Sequence, residues 1–215
     1  HGASAVVNCV GVLAESGKNT FKAVQADAPG RIARIAAEEG VARMVHISAI
    51  GADADADSDY ARTKAAGEMA VLEHMPTAVI MRPSIVFGPE DDFFNRFAGM
   101  SRMGPVLPVV GADTKFQPVF VDDVAAAVVV ALDDITARGV YELGGPDVAS
   151  FRELMQTMLR VVHRNRIIAN IPFFMARAMA AGFGVVKALS LGLFTPPLTT
   201  DQVRNLAVDN IVADG

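Results

Sequence analysis

"ARMVHISAIGADADADSDYARTKAAGEMAV", Ala42 to Val71, contains one strand, one acidic loop and the opening of one helix, and the fold follows from how these are read. "ARMVHISAIG", Ala42 to Gly51, is largely apolar and ends on glycine, the pattern of a strand buried on both faces of a parallel sheet. The loop "ADADADSD" supplies turn and cap residues, and Ser58 or Asp59 can cap the helix that follows. It lacks the glycine and final glutamate of a calcium loop. The helix carries Tyr60 and Lys64. Four residues rise about 6 Å, nearly one turn, so both side chains leave the same face.

Outward from this unit the pattern repeats. Ala5 to Leu13 is a continuous apolar run and reads as a buried strand. Asn19 to Glu39 has helical spacing, with Phe21, Val24, Ile32 and Ile35 on one face. Pro29 inside it implies a kink or a late start, and Gly40 ends it. "TAVIMRPSIVFGP", Thr77 to Pro89, reads as a third buried strand. Strand, helix, strand, helix, strand predicts βαβ units and a parallel sheet covered on both faces. Beyond Gly88 the pattern loosens. "DDFFNRFAGMSRMG" reads as helical, "VLPVVG" as a short extended piece, and a helix is expected from about Val121. Asp122 or Asp123 is expected as its cap. "GVYELGG" reads as a strand, and Ser150 with Glu153 forms a capping box.

Composition narrows the function classes. The 215 residues are 52% hydrophobic and 20% charged, enough apolar material for a sizeable core. The net charge is −5 and the basic residues form no run, so nucleic acid is not an expected partner. The lone Cys9 excludes an internal disulfide framework and points to a reducing compartment. No secretory signal is visible. The chain opens without methionine and reads as a fragment. "IPFFMARAMAAGFGVVKALSLGLFTPP" is apolar, yet Arg177 and Lys187 interrupt it, so a bilayer-spanning helix is not expected. A core helix, a partner-facing helix and an amphipathic helix lying on a membrane remain open.

The chemistry concentrates at predicted strand ends, where open parallel sheets bind ligands. A lysine ammonium beside a phenol favours phenolate, so Lys64 is expected to lower the Tyr60 pKa. Ser48 lies at the end of the second strand, where its hydroxyl could orient a carbonyl. Gly11 closes the first strand and allows close approach to its backbone. Pro83 fixes the third strand's end, with the Ser84 to Val86 backbone beyond it. No His, Cys, Asp or Glu set has metal spacing. His46, mid-strand, reads as a packed core residue.

Taken in order, "NCVG", "VHISAIGA", "YARTK", "RPSIVFGP" and "FVDDVA" resemble the extended or atypical short-chain dehydrogenase/reductase superfamily over roughly Ala5 to Met158. "VNCVGVL", "RPSIVFGPEDDFFNRFA", "QPVFVDDVA" and "YELGGP" are similar to the nucleotide-binding accessory subunits of respiratory complex I and their bacterial relatives. The resemblance implies an α/β, Rossmann-like fold with its N-terminal half absent and a small C-terminal helical lobe. It divides the chain into a partial nucleotide-binding domain, 1–145, and a lobe, 146–215, facing partner, substrate or membrane. It implies NAD(P)H as cofactor and a catalytic-type set of Ser48, Tyr60 and Lys64. Tyr60 would exchange the proton, Lys64 would hold the nicotinamide ribose, and Ser48 would orient a carbonyl. Cys9, Val10 and Gly11 would line the adenosine side; Pro83, Ser84, Ile85 and Val86 would meet the nicotinamide.

The family's glycine-rich first turn, which binds the pyrophosphate, does not occur in this sequence. The accessory subunits bind nucleotide without established turnover, so the resemblance carries binding further than catalysis. The implied partners are complex I subunits, with peripheral membrane contact through 171–195. The implied location is cytoplasmic, or peripheral on the inner membrane's cytoplasmic face (the matrix side in a mitochondrion). Two alternatives stand beside this. One is a free-standing reductase, epimerase or dehydratase acting on a sugar nucleotide, sterol or quinone-like carbonyl. The other is a nonenzymatic nucleotide-sensing scaffold.

Overall fold

The computed structural model describes residues 2–189 and 198–213. In chain order the first elements are β1 (Ala5–Asn8), α1 (Ala28–Glu38), β2 (Arg43–Ile47), α2 (Asp59–His74), β3 (Val79–Pro83), β4 (Val86–Phe87) and α3 (Phe94–Met100). Then come β5 (Val106–Val110), β6 (Lys115–Phe116), β7 (Val119–Phe120), α4 (Val121–Asp133) and β8 (Gly139–Leu143). The last are β9 (Ala149–Ser150), α5 (Phe151–Val161), β10 (Ile167–Ile171), α6 (Phe173–Leu189) and α7 (Thr200–Asn205). They form two compact units interleaved along the sequence. The first takes the residues up to Pro83, Asp122–Leu143 and the last few from Val212; the second takes Ser84–Val121 and Gly144–Ile211.

The first unit is a Rossmann-like sheet in the order β1-β2-β3-β8, every pair parallel. Side chains alternate across a strand, so each face has its own set. Val6, Met44 and Ile80 pack with Ala33 and Ala36 of α1, Val71 of α2 and Met75 at its C-terminal cap. Val45, Val79 and Met81 pack on the other face with Ala127, Val128 and Ala131 of α4. Helices therefore cover both faces, as the apolar strands require.

Local differences from the sequence reading have physical causes. β1 ends at Asn8 and is only half buried, because it pairs with β2 alone at the sheet's edge. The segment before α1 is a π-helical turn, Lys22–Asp27, and Pro29 sits in the first turn of α1. Proline has no N–H to return to the carbonyl of Gln25, and the chain widens there, with Ala28 N–H reaching Ala23 O. The expected third strand breaks in two. β3 stops at Pro83, and β4 pairs with β7 in a separate ladder. Asp122 and Asp123 are not caps; they lie in the first turn of α4, where carboxylates complement the helix dipole. Ser58 does cap α2, accepting the Ala61 N–H, and the Ser150–Glu153 box closes as expected.

The second unit is built on Leu107, Val109, Phe116, Phe151 and Met155. Its longest ladder is β10 with β5, parallel, a pairing that the reading of "VLPVVG" did not anticipate. The small C-terminal helices α6 and α7 are accompanied by these strands. α6 buries Ala176 and Ala180 and exposes Phe174, Met175 and Met179. Among the described residues no helix is long and apolar enough to cross a membrane. Of the 171–195 stretch, 190–195 lies outside the described residues.

Candidate functional site

Along the face of the sheet that α2 covers, the inward side chains change character toward the C-terminal strand ends. The level of Val6 and Met44 gives way, two residues on, to Asn8 and His46 beside Ile80, and Arg82 follows at the next inward position of β3. Asn8 Nδ2 lies 3.0 Å from His46 Nδ1, and Asn8 Oδ1 accepts the Val10 N–H, which pins the loop leaving β1. Polar groups this deep must find partners.

Lys64 stands at the centre. Its side chain comes down from α2, and Nζ donates to Ile47 O at 3.3 Å, at the tip of β2 beside Ser48. A Cβ built on Gly11 would lie 3.4 Å from that Nζ, so the glycine leaves room where the loop passes over the ammonium. The Tyr60 ring centroid is 6.0 Å from Nζ, and Phe21 braces the ring edge-on at 5.9 Å. Ser48 is buried; its N–H donates to Met81 O, and its hydroxyl has no protein partner. The structure thus brings Gly11, Tyr60 and Lys64 to the β2 tip at which Ser48 sits.

The electrostatics correct one expectation. Burial pushes the Tyr60 phenol up to about 12, and the ammonium at this separation does not reverse it. The phenol is therefore protonated at neutral pH and able to donate a hydrogen bond. Burial also lowers Lys64, and the Glu68 carboxylate opposes that shift.

Glu68 was not singled out in the sequence, though it continues the four-residue step of Tyr60 and Lys64 along α2. It receives Arg82 in a two-pronged pair, Nε to Oε1 at 2.9 Å and Nη2 to Oε2 at 2.6 Å. Glu142 of β8 lies 3.9 Å from the same guanidinium. Gln25 is a second such residue: Nε2 donates to Val12 O, and Thr63 Oγ1 donates to Gln25 Oε1. These side chains tie the loop after β1 and the end of β3 to the helix bearing Tyr60 and Lys64.

His46 gives this region a pH dependence. Burial first, then the Lys64 ammonium, hold its imidazole down at about 4, while a hydrogen bond with the Asn8 backbone pulls the other way. The folded pKa lies below the ordinary 6.5, so protonation favours the unfolded chain. Its contribution to stability is intact above 6.5 and is lost as the pH falls toward 4. Urea unfolding at about pH 4.5 should show roughly 2–3 kcal/mol less stability from this group than at about pH 7. His46→Gln should flatten that difference; an equal drop in the variant would assign it to other groups.

The other residues singled out lie as follows. Cys9 and Val10 are exposed on the loop after β1. Pro83 ends β3, and its carbonyl accepts the Ile50 N–H. Ser84, Ile85 and Val86 belong to the second unit. The Ser84 hydroxyl is engaged with Asn210 at 2.9 and 2.7 Å, Ile85 O accepts the Val119 N–H, and Val86 pairs with Val119 in the ladder. Their polar backbone and side-chain groups are thus partly committed within that unit. No cluster of His, Cys, Asp or Glu among the described residues could hold a metal ion. The unpartnered Ser48 hydroxyl, the Lys64 ammonium and the protonated phenol fit a ligand rich in hydroxyl and carbonyl oxygens, such as a nucleotide's ribose with its base.

The chain is similar to known proteins. Residues 3–172 match the family described as RmlD substrate binding domain. The chain is 37% identical, over 99% of its length, to the mitochondrial NADH dehydrogenase [ubiquinone] 1 alpha subcomplex subunit 9 of Arabidopsis thaliana. It is 33% identical over 96% to the protein of that name from Mus musculus. It covers 54% of each, so it spans about half the length of these curated relatives. Among solved structures, DesIV, a dTDP-glucose 4,6-dehydratase from Streptomyces venezuelae with NAD and TYD bound, superposes with a TM-score of 0.66 at 21% identity. That superposition covers 79% of this chain and 61% of DesIV, and it shows a shared fold.

Proposed function

The chain belongs to the RmlD substrate binding domain family, proteins of the extended short-chain dehydrogenase/reductase type, and on that premise we propose that it binds NAD(P)H as an accessory subunit of respiratory complex I. One observation carries this: Lys64 Nζ reaches the β2 tip next to the unpartnered Ser48 hydroxyl, with the protonated Tyr60 ring and Gly11 on either side of the ammonium. Lys64 holds the nicotinamide ribose through its ammonium. Ser48 donates to a carbonyl or ribose oxygen. Tyr60 donates its phenolic hydrogen, and Cys9 and Val10 border the adenosine side with Gly11. A bound NAD(P)H would supply hydride chemistry. The relatives named for the NADH dehydrogenase alpha subcomplex support the assembly, and the exposed apolar face of α6 supports contact with a neighbouring subunit there. The location is then that of complex I, peripheral to its membrane.

Tyr60→Phe separates this from a free-standing reductase. In an accessory subunit the substitution should weaken NAD(P)H affinity by no more than about tenfold, since it removes one hydrogen bond of about 0.5–1.5 kcal/mol. In a reductase, carbonyl-dependent oxidation of NAD(P)H should fall by about a hundredfold or more. Titration of both proteins with NADH and NADPH, followed by turnover assays with added carbonyls, distinguishes the two. Measurable turnover that collapses in the variant would overturn the accessory reading.

A further inference from the structure

The second unit carries a concentration of positive charge that the proposed nucleotide site does not use. An open cavity of about 480 Å³ is lined by Arg152, Gln156 and Arg160 of α5 and by Arg164, Asn165 and Arg166 just before β10. Residues 152, 156 and 160 step by four, so they form one stripe along the helix. The same helix buries Phe151, Met155, Met158 and Leu159 in the core and turns the stripe outward.

The guanidiniums are held but not neutralised. Arg164 Nη1 donates to Ala98 O and to Ser101 Oγ, each at 2.9 Å. Arg166 donates to Ser101 O at 2.7 Å and to Asn165 O at 2.8 Å. Arg160 donates to Thr157 Oγ1, on its own helix, at 2.9 Å. All these acceptors are neutral. No carboxylate lines the cavity, and among the described residues none of the four arginines forms an ion pair. The chain as a whole carries 24 acidic against 19 basic residues, so carboxylates were available to pair with them. Like charges gathered around one cavity repel one another until a counter-charge arrives.

We propose that this cavity binds a phosphate-bearing anion. Guanidinium forks match phosphate oxygens two at a time, and fixed forks lose little freedom on binding. Four cations exceed what one carboxylate can balance, which points to a multiply charged group such as a pyrophosphate. The Gln156 and Asn165 amides add neutral donors. The phosphate could belong to a free polyphosphate or to a lipid headgroup; the recognition chemistry is the same.

The test uses the full chain, inorganic pyrophosphate by calorimetric titration, and flotation with vesicles of phosphatidylglycerol or of phosphatidylcholine. Arg152→Gln and Arg160→Gln are the variants, because neither side chain ties α5 to another element; unchanged melting confirms that they fold. Pyrophosphate should bind saturably and more weakly as salt rises, and each variant should lose about tenfold or more in affinity. Saturation without flotation identifies a soluble phosphate. Arginine-dependent flotation on the anionic vesicles alone identifies a headgroup. Absence of both, or variants that bind like the unaltered chain, overturns the proposal.

Discussion

Replacing Gly67 by alanine is expected to cost the first unit more than about 3 kcal/mol of stability, although propensity alone favours alanine in a helix by about 1 kcal/mol. A Cβ at Gly67 would sit 2.0 Å from Gln25 O and 3.1 Å from Gln25 C. Both are backbone atoms, so no rotamer change relieves the overlap; α2 must move away from the π-helical turn. That turn is where Pro29 has withdrawn its N–H from Gln25, and Gln25 itself holds Val12 and Thr63. A shift there spreads to the loop bearing Gly11 and to the helix bearing Lys64. Gly99→Ala, on α3 where a Cβ meets nothing within 4 Å, is the control and should be neutral or slightly stabilising. A Gly67→Ala chain that melts at or above the unaltered temperature would refute the packing described.

Glu68→Ala is the second large effect. The Glu68 carboxylate is buried and takes both prongs of Arg82, whose side chain is 23% exposed. Removing one partner leaves a largely enclosed guanidinium with Glu142 at 3.9 Å and the weaker pull of Asp53, a loss of about 3 kcal/mol or more. The same change removes the carboxylate that supports the charged form of Lys64, so the Lys64 pKa should fall further. Denaturant unfolding reads the first effect, and the pH dependence of Lys64 modification reads the second. Glu68→Gln should keep the packing and lose the charge. If it unfolds like the unaltered chain and Lys64 titrates unchanged, the carboxylate has no electrostatic role.

Much of this framework was legible in the residues. Apolar runs ending in glycine marked the strands of the parallel sheet, and Ser58 and Ser150 marked helix starts. A step of four put Tyr60 and Lys64 on one face. The continuation of that step to Glu68 was equally visible and went unused. So were Asn8 and Arg82, each at an inward position of its strand by alternation, whereas His46 was read as a packed core residue and is one. Other features could not be read locally. The Tyr60 pKa depends on how deeply neighbouring elements enclose the ring, which no spacing encodes. The pairing of β10 with β5 joins segments about sixty residues apart, and the interleaving of the two units depends on such long-range contacts. The π-helical turn follows from Pro29, but its consequence at Gly67 needs both helices in place.

The proposed site sets the Lys64 ammonium against the ribose on the nicotinamide side of a bound dinucleotide. Saturation-transfer NMR of the chain with NADH tests it most directly, because it reads weak binding proton by proton. The account predicts the strongest transfer to the nicotinamide ribose protons, and its loss in a folded Lys64→Met variant. Equal transfer in both proteins, or transfer confined to the adenine protons, would contradict it.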